Sequence, residues 1–148
     1  LYISHIHPDH FDDRHFDFRR DLPIFLLDRE HNFLRKRIEG MGYTNVIVVA
    51  DGESVTFNEL TITLFKPFTT HNFYDAAVGN VIDSAMVVES GGVSAFNAND
   101  NTPTPEACAT LRDRFGIHAY YLVTVAVSVP LIIAVMLSPR SNEVDAGR

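Results

Sequence analysis

The chain contains no tryptophan and a single cysteine, Cys108, among its 148 residues. One cysteine cannot close an intrachain disulfide, which excludes a small secreted scaffold held by cross-links. Positive charge is also scarce. Twelve Lys and Arg stand against 19 Asp and Glu, a formal net charge of −7, and this balance argues against a nucleic-acid grip. The basic runs Arg19-Arg20 and Arg35-Lys36-Arg37 read as solvated faces. Hydrophobic residues at 46% with 21% charged are ordinary for a globular chain and exclude a disordered tail. The length suits one modest domain or part of a larger one. The chain starts at Leu1 rather than Met, and residues that carry chemistry begin at His5. An N-terminal part preceding this sequence is therefore expected, making it a fragment.

Patterning gives an alternation of strands and helices. Leu1 to Ser4 reads as the end of a buried strand, followed by a polar loop from His5 to Asp13. Leu22 to Leu27 is a short apolar strand. Asp28 is a suitable N-cap for a helix from Arg29 to Glu39, with Leu34, Ile38 and Met41 on one face and Gly40 and Gly42 as the stop. Asn45 to Ala50 is a β-branched strand, and Asp51-Gly52 a turn. Val55 to Phe57 and Leu60 to Phe65 form further strands; in the second, Thr61 and Thr63 alternate with Ile62 and Leu64, which predicts one wet face. Thr69 to Val81 reads as irregular loop. Ser84 to Glu89 and Val93 to Ala98 predict a hairpin across Gly91-Gly92. Thr104 caps a helix with Pro105 at its first position, running to about Phe115 and stopping at Gly116. This order predicts an α/β (α+β layered) plan, with helices covering sheet.

The chemistry is concentrated in residues 5 to 10, His-Ile-His-Pro-Asp-His. His5 and His7 are two apart, so at a strand end they share a face. Asp9 and His10 follow where the chain turns and approach from another side. Imidazole and carboxylate donors in this density suit two nearby zinc ions, and iron or manganese are also compatible. The competing reading, solvent-exposed loop histidines, needs a separate reason for each one. His71 and Asp100 both follow apolar strands, where α/β sheets present their functional loops. Alone, His71 reads as a surface residue and Asp100 as a turn former; beside the first motif both read as ligands.

In this order, SHIHPDH, His71 and Asp100 resemble the metallo-beta-lactamase-fold hydrolases. SHIHPDHFD, GMGYTNVIVVADGESV and HNFYDAAVGNVIDSAMVVESGGVSAFNANDNTP are similar to its lactonase-like branch and to the lactamase-fold domain of CMP-N-acetylneuraminate hydroxylases. The resemblance covers residues 1–116 and implies a partial αββα sandwich. It also implies that His5, His7 and His71 hold a first metal, that Asp9 and His10 hold a second, and that Asp100 bridges the two. The family's last histidine ligand has no match here. His118 comes too soon after Asp100, and it is read with His15 and His31 as a non-ligand.

The expected function is metal-dependent hydrolysis. A metal lowers the pKa of bound water towards about 7 and so supplies hydroxide at neutral pH. Asp9, the catalytic candidate, orients that hydroxide or takes a proton. Thr70, Asn72, Asn99 and Asn101 are candidate partners of the ligands, and Phe73 and Tyr74 in the loop Asn72 to Asn80 are candidate pocket residues. An ester, lactone, amide or phosphate ester bond would each accept the attack, so the partner is a small-molecule substrate. Two alternatives stand beside this: an iron-binding, oxygenase-associated domain, and a metal-binding remnant without turnover. Residues 117–148 differ in character, and Ala119 to Pro139 carries no charge. Three readings compete for that tail: a buried strand pair, a membrane anchor over 119–137, and a change of reading frame near Gly116. A soluble, cytoplasmic parent is expected, with its oligomeric state open.

Overall fold

The computed structural model describes residues 1–68, 83–101 and 103–117. The His71 ligand, the loop Asn72 to Asn80, Thr70, His118 and the tail readings lie outside the described residues. Eight elements follow one another: β1 (Ile24–Leu27), α1 (Phe33–Gly40), β2 (Val46–Val49), β3 (Ser54–Phe57), β4 (Leu60–Phe65), β5 (Ala85–Ser90), β6 (Val93–Asn97) and α2 (Pro105–Phe115). β1 and β2 pair in parallel with α1 as their crossover, and β3 to β6 form an antiparallel meander. Gly91 and Gly92, at φ 56° and 80°, close the β5–β6 hairpin with both central residues in the left-handed region, the geometry that a two-residue turn between twisted strands requires.

Side-chain alternation along the strands sorts the core into three interfaces. From β1, Ile24 and Leu26 face α1 and join Ile3, Leu34, Ile38 and Tyr43. Phe25 and Leu27 point the other way and meet Ile62 and Leu64 of β4. Ala85, Val87 and Phe96 leave the opposite face of the meander to pack on Leu111 and Phe115 of α2. The layers therefore run helix, sheet, sheet, helix.

Two expectations are corrected. α1 begins after Asn32, not after Asp28: the Asn32 side chain accepts the Arg35 N–H and donates to the Leu27 carbonyl at 3.1 Å. Asp28 instead donates its N–H to Val49 and extends the strand pairing. The face of β4 expected to be wet is dry at Thr63, which is fully buried. Its hydroxyl pairs with that of Ser54 at 2.7 Å, and Arg114 of α2 reaches over the same region to Gly52 and Ser54.

Candidate metal centre

Three chain segments meet at one end of the sandwich. Leu1 to Ser4 runs beside β1: Tyr2 bridges Phe25 in parallel register, and the Phe25 N–H donates to Leu1 at 2.8 Å. The chain then leaves the sheet at His5 and turns sharply, with the N–H groups of His10 and Phe11 both donating to the His7 carbonyl. The other two segments come from the meander. Met86 near the start of β5 pairs with Asn97 at the end of β6, so Asp83 and Asp100 emerge at the same edge.

His5, His7 and Asp100 each offer one donor atom within 4.8 Å of the others. His5 Nε2 lies 2.7 Å from His7 Nδ1 and 3.4 Å from Asp100 Oδ2, and His7 Nδ1 is 3.9 Å from the same oxygen. A tetrahedral zinc with Zn–N near 2.05 Å sets its ligand atoms about 3.3 Å apart, a spacing this group brackets. The other Asp100 oxygen faces elsewhere: Oδ1 is 3.5 Å from His10 Nε2, which lies 3.6 Å from Asp9 Oδ2. One carboxylate thus stands between two sets of nitrogen and oxygen donors. His5 is buried, whereas the Asp9 side chain is 75% exposed.

The surroundings hold these groups from behind. Ser4 Oγ lies 3.0 Å from His5 Nδ1 and 3.1 Å from His10 Nδ1. Tyr2 donates its hydroxyl to the Ser84 carbonyl at 2.8 Å. Desolvation pushes the Tyr2 phenol above its ordinary range; hydrogen bonds from Ser84 and Asn99 oppose this, and the Asp83 charge adds to it. Arg29 donates to the Asp83 carbonyl at 2.7 Å, and burial draws its guanidinium down while the Asp83 charge counters. Asn99 bonds Tyr2 and Ser84, and Asn101 bonds Asp83, so these two candidate partners support the framework and not the donors directly. His15 pairs with Asp12 and His31 with Glu30, both away from the group.

Sequence reasoning missed Asp83. Its carboxylate lies 3.0 Å from His5 Nδ1 and is nearly buried, at 9% exposure. Its one local signal is a carboxylate at the threshold of an apolar strand, the signal that singled out Asp100 beyond the next one.

Among the described residues no helix is long and apolar enough to cross a membrane. No family model matches the chain. Over 112 residues it is 30% identical to candidate Rieske 2Fe-2S iron–sulfur proteins of Mycolicibacterium smegmatis and Mycobacterium tuberculosis, covering 70% of this chain. It spans about a fifth of the length of these curated relatives. Three solved structures each cover 78% of the chain. A possible metal-dependent hydrolase from Veillonella parvula matches with a TM-score of 0.62 at 21% identity, over 44% of its own length. An isothiocyanate hydrolase from Delia radicum gut bacteria matches at 0.58 and 20%, over 45% of its length. CmlA, a diiron beta-hydroxylase from Streptomyces venezuelae, matches at 0.53 and 19%, over 23% of its length. With the helix–sheet–sheet–helix layering, these likenesses establish a metallo-beta-lactamase-like fold for the described residues.

Proposed function

We propose that this chain carries the metal centre of a metal-dependent hydrolase. In this reading His5, His7 and Asp100 hold one ion, and Asp9, His10 and Asp100 hold a second. His71 is the further ligand of the first ion that the family resemblance implies. The observation that carries the reading is the position of Asp100, whose two oxygens face separate donor sets. Imidazole nitrogens with carboxylate oxygens are the donors zinc takes, and iron and manganese accept the same set. A bound divalent ion supplies Lewis acidity and lowers the pKa of a coordinated water.

The chain's own residues do the rest. The buried His5 fixes the inner edge of the site, and Asp100 ties the β6 end to the histidine loop. Asp9 is the most exposed of the donors, placed to orient a water molecule or hold a proton at its carboxylate. The likeness to chains described as hydrolases supports the reaction class, with an ester, lactone, amide or phosphate ester as the bond cleaved. The test is His7→Ala with zinc-loaded protein on a panel of those four substrate classes. Loss of one ion and of most turnover is expected; turnover and loading equal to the unsubstituted chain would contradict the assignment.

A second reading, an iron-binding domain associated with an oxygenase, has its own support. The curated relatives are described by a Rieske cluster, and one structural neighbour is a diiron hydroxylase. A Rieske cluster takes two cysteines and two histidines, and this sequence has one cysteine. The cluster named in those relatives therefore cannot be held by this chain alone. Under this reading the His/Asp group takes iron, and elemental analysis separates iron from zinc.

A further inference from the structure

Asp83 accepts three N–H donors, lies against the ring of His5, and presents neither oxygen to the site. Oδ1 accepts the Ser84 N–H at 2.7 Å and lies 3.0 Å from His5 Nδ1. Oδ2 accepts the Asp100 N–H at 2.7 Å and the Asn101 side-chain amide at 2.8 Å. One nearly buried carboxylate thus touches the ring of His5 and the backbone of Asp100, residues far apart in sequence that each supply a donor to the same group.

We propose that Asp83 is a positioning residue that sets the tautomer of His5 and fixes Asp100 opposite it. This rests on the metal-centre reading. An imidazole carries one proton when neutral, and the hydrogen bond at one nitrogen decides which nitrogen keeps a lone pair. Two groups compete for His5 Nδ1, the Asp83 carboxylate and the Ser4 hydroxyl, both at 3.0 Å. The carboxylate makes the stronger, charge-assisted bond, and Ser4 Oγ is left to accept from His10 Nδ1. With its proton on Nδ1, His5 turns the Nε2 lone pair towards His7 and Asp100. The same carboxylate holds the loop after β6 through its other oxygen, so ring and loop are set by one group.

Asp83→Asn is an informative substitution because both oxygens face donors. Whichever way an amide is turned, its NH2 group meets donors: His5 Nδ1–H and the Ser84 N–H, or the Asp100 N–H and the Asn101 amide. The amide therefore pushes the His5 proton to Nε2 or releases the loop. The experiment combines nitrogen-resolved NMR of the histidine rings in the metal-free chain with zinc titration of the chain and of Asp83→Asn. His5 is expected to be protonated at Nδ1 in the unsubstituted chain and to shift towards Nε2–H in the variant. Zinc affinity is expected to fall by about 10- to 100-fold. Protonation of His5 at Nε2 in the unsubstituted chain overturns the proposal, and that measurement needs no variant to fold. An unchanged tautomer together with unchanged zinc affinity in Asp83→Asn also overturns it. If the unsubstituted chain takes up no zinc, the metal-centre reading fails, while the NMR comparison still decides what Asp83 does to His5.

Discussion

Asp100 carries one faint signal in the sequence, its place just beyond an apolar strand, and takes its position from the fold. It lies among asparagines, a turn-forming context, yet it stands between His5 and His7 on one side and His10 on the other. The histidine motif itself was legible because its members are neighbours in sequence and the spacing states the geometry. Asp83 was not, because its partners come from the start of the chain and from the loop after β6. Tyr2 gives a residue-scale prediction. Its phenol titrates above the ordinary value near 10.0 because its hydroxyl is desolvated. Above that pH the unfolded chain releases a proton that the folded chain keeps. The unfolded state then binds fewer protons, so stability falls as pH rises. Tyr2→Phe is expected to cost about 1 kcal/mol at neutral pH, for the lost hydroxyl bonds, and to flatten the alkaline decline. Denaturant midpoints at about pH 7 and about pH 11 check both; an equally steep decline in the variant would contradict the cause given.

At the scale of the element, the two helices differ in how much of their boundary is local. α2 was legible at both ends. Thr104 accepts the Ala107 N–H, Pro105 fills the first position, and Gly116 takes the left-handed conformation at φ 66°. Thr104→Ala is expected to lower stability by about 1 kcal/mol, read as a lower thermal midpoint with an unchanged spectrum of the folded state. Gly116→Ala, placing a Cβ in that left-handed position, is expected to cost about 1–2 kcal/mol. The start of α1 was not legible, because Asp28 and Asn32 are both good caps. What separates them is tertiary: the Asp28 N–H is already committed to Val49, and Asn32 reaches back to Leu27. The same holds for Thr63, polar in sequence but covered where α2 crosses β4.

Across the whole molecule, alternation and turn chemistry predicted the order of the elements, and the family resemblance supplied the four-layer stacking. Neither periodicity nor composition states which strand face meets which sheet. Leu64 is fully buried between the two sheets, whereas Leu60 on the same strand is 40% exposed. Leu64→Ala is expected to destabilise by about 2–5 kcal/mol and Leu60→Ala by about 0.5 kcal/mol or less, measured by denaturant unfolding. The donors of the site come from both sheets, the histidine loop from the β1 side and Asp100 from the meander. An ion that binds there binds only the folded chain and stabilises it by mass action, by about 2.7 kcal/mol at a hundredfold excess over Kd. Zinc is therefore expected to raise the thermal midpoint of the unsubstituted chain and to leave that of Asp100→Ala nearly unmoved.

The most direct test of the metal centre is the metal content per chain of purified, folded protein by elemental analysis, with Asp100→Ala prepared alongside. The account predicts about two divalent ions per chain, zinc or iron, with a clear reduction in the variant. A folded chain that holds no metal, or a variant that retains as much as the unsubstituted protein, would contradict it.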